Sequence, residues 1–486
     1  MTSPDAAVDA AARAAERAFA VTSAATDAER AAWLRAVADT LDAHRDELVA
    51  LADADTALGP TRLTGEVART TGQLRLFAEV VTEGSYLEAV IDHADPSATP
   101  PRPDLRRVLR PIGPVAVFAA SNFPFAFSVA GGDTASALAV GCPVVVKAHS
   151  GHRALSRRTA DLVGRALAGA GAPDGVFALV EGREAGVALV EHPAIRAASF
   201  TGSVAGGRAL FDRASGRPDP IPFFGELGSI NPVVVTAAAD AARGAELAVG
   251  LAGSFQLGAG QFCTKPGLVF VPEGSALEQA LPDHVRPVAH RLLTEAIGSG
   301  YGEGLERLAG VPGEAVVVGG DGPSGVTTMV YRVDLATFDD PGFGRALREE
   351  VFGPATVLVR YSDPAAVVES LRSLEGSLTA TVHAEPEEDV SALVAVLSER
   401  AGRLLFAGWP TGVAVTWSQH HGGPWPATTS QHTSVGATAV RRFQRPIVYQ
   451  DAPESVLPLA LREDNPLGIR RRVDGSSWWG EGRAVD

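Results

Sequence analysis

Residues 113–150 read GPVAVFAASNFPFAFSVAGGDTASALAVGCPVVVKAHS. The runs GPVAVFAAS (113–121) and CPVVVKAH (142–149) are short, rich in Val, Ala and Phe, and end in small or polar residues. Between them, GGDTASALAVG (131–141) is alanine-rich and helical in pattern. Strands that are apolar at every position have no solvent face, so they belong in a sheet covered on both sides. Alternation with helices makes that sheet parallel. DGVFALVEG (174–182) and IRAASFTGS (195–203) repeat the strand pattern, and RALSRRTADLVGRALAGAG (153–171) repeats the helical one. Ligands of such sheets sit beyond the carboxyl ends of the strands, so chemistry is expected there.

Working outward, DAERAAWLRAVADTLDAHRDELVALADADT (27–56) sets Trp33, Leu34, Val37 and Leu41 on one stripe, which predicts amphipathic helices. EVARTTGQLRLFAEVV (66–81) predicts another. IDHADPSATPPRPDLR (91–106) holds four prolines and reads as an exposed excursion. A second alternation starts near 230 with NPVVVTAAADAARGAELAVGLAG (231–253) and GLVFVPEG (267–274). A helix near 275–297 and the strand ATVLVRYSD (355–363) follow. The chain thus divides into two α/β units with a boundary near 228. Gly320, Gly322 and Gly325 have the G-x-G-x-x-G spacing of a dinucleotide loop, but the strand-like VTTMVYRVDL follows where a helix should open. A β-turn is the reading.

At 486 residues the chain exceeds what one core usually serves. Its 42 Lys and Arg against 57 Asp and Glu give a net charge of −15, which argues against a nucleic-acid partner. The N-terminal MTSPDAAVDAAARAAERAFA has acids early and no apolar core, unlike a signal peptide. The most apolar stretch, 113–132, is broken by Asn122 and Pro124, so no membrane span is expected. Two cysteines make neither a disulfide framework nor a clustered metal-ligand spacing. A cytoplasmic enzyme without a bound metal is the expectation.

Cys263 stands in GAGQFCTKPG (258–267), where Gly258 and Gly260 permit positive φ or a close approach to a ligand. A nucleophile and a core filler are both open readings there. Cys142, just before an apolar run, is the filler. A nucleophilic thiol needs exposure and an electropositive setting. Glu226, among Phe224, Gly225, Leu227 and Gly228, is expected to have a raised pKa and to serve as a base. Asn122 past a strand end is an oxyanion donor or a turn cap. Lys147 at a strand end suits ribose hydroxyls or phosphate. Gly202, Ser203, Gly206 and Gly207 open a helix where a diphosphate could approach. Glu350 and Phe352 precede a turn. No histidine sits near the thiol in sequence, which disfavours a cofactor-free cysteine hydrolase.

SNFPFAF, GCPVVVKAHSGH, FTGSVAGGRAL, ELGSINPVVV, GAGQFCTKPG and EEVFGP, in this order, resemble the aldehyde dehydrogenase superfamily over nearly the whole chain. The resemblance implies an α/β fold with a Rossmann-type cofactor domain (1–90 and 107–228) and an α/β catalytic domain (229–432). It adds a small oligomerisation sheet and C-terminal segments from 91–106 and 433–486. It implies Cys263 as nucleophile, Glu226 as general base and Asn122 as oxyanion donor. Lys147 would meet the adenosine ribose, Ser203 the diphosphate, and Glu350 and Phe352 the nicotinamide ribose. RTTGQLRLFAEVV, PDLRRVLRPIGPVAVFAASNFPFAFSVAGGDTASALAVGCPVVVKAH and GGPWPATTSQHTSVG are similar to the α-ketoglutarate semialdehyde dehydrogenases. That implies 2,5-dioxopentanoate as substrate, with medium or long uncharged aldehydes as the alternative. Arg69, Arg75 and Phe123 are the substrate-binding candidates, with surface ion pairing the other reading of either arginine. A CoA-acylating relative is disfavoured by Glu226. The resemblance further implies a homodimer or homotetramer and a nicotinamide cofactor. Ser150 stands where relatives carry the glutamate that holds the ribose 2′-hydroxyl, which favours NADP over NAD. Arg183 either clasps the 2′-phosphate or is a solvated helix start.

Overall fold

In the computed structural model the chain is described over residues 4–288, 290–319 and 324–478. Three sheets organise it. The first takes strands Val115–Phe118, Val144–Lys147, Phe177–Val180, Ala197–Thr201 and Phe223–Glu226, all parallel, in the spatial order third, second, first, fourth, fifth. The connections diverge on either side of Val115–Phe118, which opens a crevice at the carboxyl ends of that strand and Ala197–Thr201. Val115, Val117, Val144 and Val146 point into one core, and Ala116, Phe118 and Val145 into another. This is why these runs are apolar throughout. The amphipathic helices Asp27–Ala43 and Pro60–Glu83 cover the first face, with Trp33, Leu34, Val37 and Leu41 buried as their spacing predicts.

The second sheet runs Glu314–Gly319, Thr328–Asp334, Ala355–Tyr361, Leu268–Pro272, Val233–Val235, Ser377–His383, Ala401–Phe406, with Glu314–Gly319 antiparallel to its neighbour and the rest parallel. Gly320 and Gly322 lie outside the described residues. The strand Thr328–Asp334 follows them, as the strand-like VTTMVYRVDL predicts, where a dinucleotide loop would open a helix. The single helix expected over 275–297 is not found. It stops after Ala276–Ala280 and the 3₁₀ turn Leu281–Asp283, and a helix resumes at Glu295–Ala309. Pro282 and Pro287 have no N–H to donate, so the helix cannot continue through them.

The third sheet has the order Gln444–Gln450, Leu105–Pro111, Val90–Asp92, Arg471–Val473, Ser476–Trp478. The proline-rich stretch is narrower as a loop than its composition suggests. Its ends are strand, with Ile91 opposite Arg106 and Asp92 opposite Leu105. Among the described residues no helix is long and apolar enough to cross a membrane.

Candidate active site

The helix Ala237–Gln256 ends in the turn Leu257–Gly260, where Gly258, Ala259 and Gly260 have φ of 58°, 57° and 69°. Three successive left-handed residues reverse the chain and present Cys263, as the glycines predict. A Cβ on Gly260 would lie 2.2 Å from the Gly353 backbone, and one on Gly258 2.5 Å from Arg62 Nη1. The backbone contact makes glycine necessary at 260, whereas at 258 the Arg62 guanidinium would have to move. Asn231, itself at φ 52°, donates from Nδ2 to the carbonyls of Cys263 (2.8 Å) and Lys265 (2.9 Å). Ser229 makes no hydrogen bond to the Glu226 carboxylate, whose partners are His421 and Ser434. Its hydroxyl donates to Asn231 Oδ1 at 2.6 Å and accepts from Leu378 N–H at 2.8 Å. The buried Lys265 ammonium donates to the carbonyls of Val351 (3.0 Å) and Ala355 (2.6 Å), so the thiol loop is tied to the segment that leads into the strand Ala355–Tyr361.

Glu226 ends the edge strand of the first sheet. Leu227 N–H donates to Ala427 O and Thr429 N–H to Gly225 O, so residues 427–429 add to that edge. This returning segment brings in a residue that sequence reading missed. His421, 1% exposed, has Nε2 at 3.0 Å from Glu226 Oε1 and 3.6 Å from Cys263 Sγ. Ser434 Oγ donates to Glu226 Oε2 at 2.5 Å. The expectation that no histidine accompanies the thiol is therefore corrected: a partner 158 residues away in sequence reaches it through the fold. The pKa expectation for Glu226 is corrected as well. Burial pushes it up, but the neighbouring His421 and the hydrogen bonds from His421 and Ser434 outweigh burial and hold it below the usual carboxylate value. The thiol goes the other way. Burial first, then the Glu226 charge and its hydrogen bond, push Cys263 well above the ordinary thiol value, with Arg69 opposing. Its setting is electronegative rather than electropositive, so the proton must be taken rather than simply lost. Cys142 is fully buried, and burial pushes its thiol up to about 12.

Asn122 donates from Nδ2 to the carbonyl of Gln261 at 3.1 Å, two residues from the thiol. That uses one of its two N–H groups. Its own carbonyl accepts from Arg62 Nη2 at 2.6 Å. Phe123 lies edge-on to Phe262, with ring centroids 5.1 Å apart, and 5.5 Å from Phe127. The Arg69 guanidinium stacks over Phe123 (5.6 Å) and Phe127 (5.2 Å), and Arg62 over Phe123 (5.2 Å) and Phe262 (4.8 Å). Arg69 Nε and Arg62 Nη1 are buried and have no hydrogen-bond partner. Arg75, by contrast, is not brought to this cluster. It pairs with Asp39 (2.7 Å) and Asp42 (2.8 Å) on the outer face of its helix, where the sequence could not tell which way it points.

The cofactor candidates line the carboxyl edge of the first sheet. Lys147 ends its strand half-buried, opposite Val180 on the adjacent strand, with no ion pair among the described residues. Burial and then Arg153 hold its pKa below the ordinary lysine value. Ser150 is exposed in the turn that follows. Arg183, exposed, opens the helix Arg183–Glu191 after the neighbouring strand, so both stand on one edge. Ser203 caps the helix Val204–Ser215, its Oγ accepting from Gly206 N–H at 3.2 Å, and Gly202 N–H donates to Glu226 O at 3.0 Å. A Cβ on Gly207 would lie 2.1 Å from Leu227 Cδ2, so that glycine seats the helix on the sheet. Glu350 lies against Gly228. Burial pushes its pKa up to about 7, opposed by Lys265 and the Ser229 backbone N–H. Phe352 is half-buried beside it in sequence. An unpaired cation, an exposed helix N-terminus and a carboxylate on one crevice edge fit a nicotinamide dinucleotide.

Residues 2–289 match the model of the aldehyde dehydrogenase family. The chain is 48% identical over 470 residues to alpha-ketoglutaric semialdehyde dehydrogenase 2 of Azospirillum brasilense, covering 93% of this chain and 88% of that protein. It is 43% identical over 481 residues to alpha-ketoglutaric semialdehyde dehydrogenase of Acinetobacter baylyi, covering 96% and 91%. The crystal structure of an NADP-dependent enzyme of E. coli superposes with a TM-score of 0.77 at 24% identity, over 92% of this chain and 91% of that one.

Proposed function

The chain belongs to the aldehyde dehydrogenase family and is an oxidoreductase acting on an aldehyde; from that premise we propose that it oxidises 2,5-dioxopentanoate to 2-oxoglutarate. The observation that carries the reading is the contact of Cys263, His421 and Glu226, with the half-buried Arg62 and Arg69 stacked on the neighbouring Phe262 and Phe127. Two relatives named for this semialdehyde support the substrate.

The thiol proton passes to the Glu226 carboxylate, and the His421 Nε2–H, 3.6 Å from Sγ, stabilises the thiolate. Attack on the aldehyde carbon forms a tetrahedral adduct, whose oxyanion takes the second N–H of Asn122. Hydride loss from that adduct, the chemistry a nicotinamide cofactor supplies, leaves a thioester on Cys263. Glu226, its proton released to solvent, then takes one from the attacking water, and the carboxylate product departs. Arg69 receives the carboxylate end of the substrate through its unpaired Nε. Phe123 and Phe127 line the path.

Lys147, Ser203 and Gly206 hold the adenosine and diphosphate end, and Glu350 with Phe352 the nicotinamide ribose. NADP is the preferred cofactor, because Ser150 offers no charge to repel a 2′-phosphate and Arg183 stands on the adjacent strand end. The third sheet makes a homodimer or homotetramer: Gln444–Gln450 is an open edge strand with Val448 53% exposed. The cytoplasm is its place, where two free thiols stay reduced. The test is reduction of NADP or NAD with 2,5-dioxopentanoate against decanal. A higher kcat/KM for decanal would transfer the assignment to uncharged aldehydes, and product release without cofactor would make the chain a hydrolase. A monomer by light scattering would remove the oligomer.

A further inference from the structure

We infer that Cys263, His421 and Glu226 together form a site for a thiophilic divalent cation, Zn²⁺ in the first place, whose binding caps the nucleophile reversibly. The three side chains each offer one ligand atom, and these atoms lie within 4.8 Å of one another. The donor set is one sulfur, one imidazole nitrogen and one carboxylate oxygen, the kinds of ligand that zinc takes.

The separations of Nε2 from the other two ligand atoms suit it. Zinc bonds of about 2.3 Å to sulfur and about 2.0 Å to nitrogen, at a tetrahedral angle, put those two atoms about 3.5 Å apart. Sγ and Nε2 stand 3.6 Å apart in the protein. Nitrogen and oxygen ligands on one zinc lie about 3.4 Å apart, against 3.0 Å for Nε2 and Oε1, which need only open slightly as a hydrogen bond gives way to two metal bonds. Ser434 Oγ holds the other carboxylate oxygen, Oε2, at 2.5 Å and so orients Oε1 toward the metal, the outer-shell support that ligating carboxylates have. Three protein ligands leave a fourth position for water, and the partial exposure of Cys263 gives a way in.

The charges and protons balance. The Sγ–H bond breaks and that proton goes to solvent, while the imidazole stays neutral as its proton moves from Nε2 to Nδ1. No electron is transferred. Nδ1 has no hydrogen-bond partner, so the tautomer exchange gives up only the Nε2 contacts to Glu226 and Cys263, which the metal bonds replace. Zn²⁺, a thiolate and a carboxylate sum to zero, which a buried site tolerates where a lone charge would not be. Metal on sulfur withdraws the thiolate's charge into the Zn–S bond and blocks the approach of an aldehyde, so the bound enzyme is silent.

The test uses the full chain without cofactor or aldehyde, so its outcome is separate from that of the dehydrogenase reading. Zn²⁺ is titrated in competition with a chromogenic chelator, and Co²⁺ is used as the spectroscopic probe. Expected are one Zn²⁺ per chain, protection of Cys263 from iodoacetamide reversed by EDTA, and a cobalt spectrum with a thiolate charge-transfer band and strong four-coordinate visible bands. Ser434→Ala should weaken Zn²⁺ by about 10- to 100-fold. His421→Ala, which removes a ligand outright, should weaken it by more than about 100-fold. Should His421→Ala fail to fold, the Ser434→Ala affinity and the wild-type cobalt spectrum decide. A weak six-coordinate cobalt spectrum without the thiolate band overturns the site. So does an affinity within about twofold of wild type in Ser434→Ala, which would mean an adventitious ion on the thiol alone.

Discussion

Replacing His421 by alanine removes the N–H that donates to Glu226 at 3.0 Å and stands 3.6 Å from the thiol. A hydrogen bond to a charged group contributes about 1.5–3 kcal/mol. If that bond is made to the reacting thiolate and carboxylate, about 1.4 kcal/mol per factor of ten makes the loss about 10- to 150-fold in kcat. KM should change little, since the histidine contacts the nucleophile and base rather than the arginines. The pH profile gives a second readout. Glu226 is held below its ordinary value by His421 and Ser434 against the push of burial. It acts as a base only when ionised, so activity is present above its pKa and lost as pH falls through it. Without His421 burial prevails, the pKa rises, and the acid limb of kcat moves to higher pH. The assay is steady-state turnover across pH with circular dichroism to confirm folding. A folded variant with kcat within about twofold of wild type and an unmoved acid limb would refute the role given to His421.

Three further outcomes are expected. Arg69→Leu should raise KM for 2,5-dioxopentanoate by about tenfold or more, the loss of one charged hydrogen bond, while Arg75→Leu, paired away with Asp39 and Asp42, should leave it unchanged; equal effects in steady-state kinetics would remove Arg69 from the site. Ser150→Glu should shift preference toward NAD and Arg183→Ala should raise KM for NADP alone, and a wild type that uses NAD about tenfold better than NADP would contradict the reading of the missing carboxylate. Asn231→Ala should destabilise the fold by about 2 kcal/mol or more in urea unfolding, because it strands buried carbonyls of Cys263 and Lys265 and leaves alanine at φ 52°; a loss near zero would mean that the thiol loop holds itself.

The parallel sheet was legible because Val115–Phe118 is apolar at every position and Val144–Lys147 at all but its last, a pattern that a doubly covered strand produces. The thiol loop was legible because Gly258 and Gly260 announce a left-handed turn. What sequence reading missed is long-range. His421 precedes the quoted GGPWPATTSQHTSVG by one residue, and nothing local ties it to Cys263 or Glu226; the added edge at 427–429 does. Its absence from the reading also inverted the pKa expected for Glu226, whose local neighbours are apolar while its spatial ones donate hydrogen bonds. The same distance in sequence hid the three-ligand set, since metal-ligand patterns read from spacing find only clustered residues. Arg75 failed for a different reason: one helix carries Arg69 inward and Arg75 outward, and both suit an arginine.

The central claim is a thioester on Cys263 that Glu226 clears, and the most direct measurement is intact-protein and peptide mass spectrometry of Glu226→Gln after mixing with cofactor and 2,5-dioxopentanoate. The amide takes away the thiol's proton acceptor but also the charge that raises the thiol's pKa, so the thiolate forms by losing its proton to solvent and acylation continues, slowed, while water lacks its base. The account expects one acyl adduct per chain, on the Cys263 peptide and not on Cys142, with a burst of reduced cofactor and little turnover after it. Full turnover without an adduct, or an adduct on any residue other than Cys263, would contradict it.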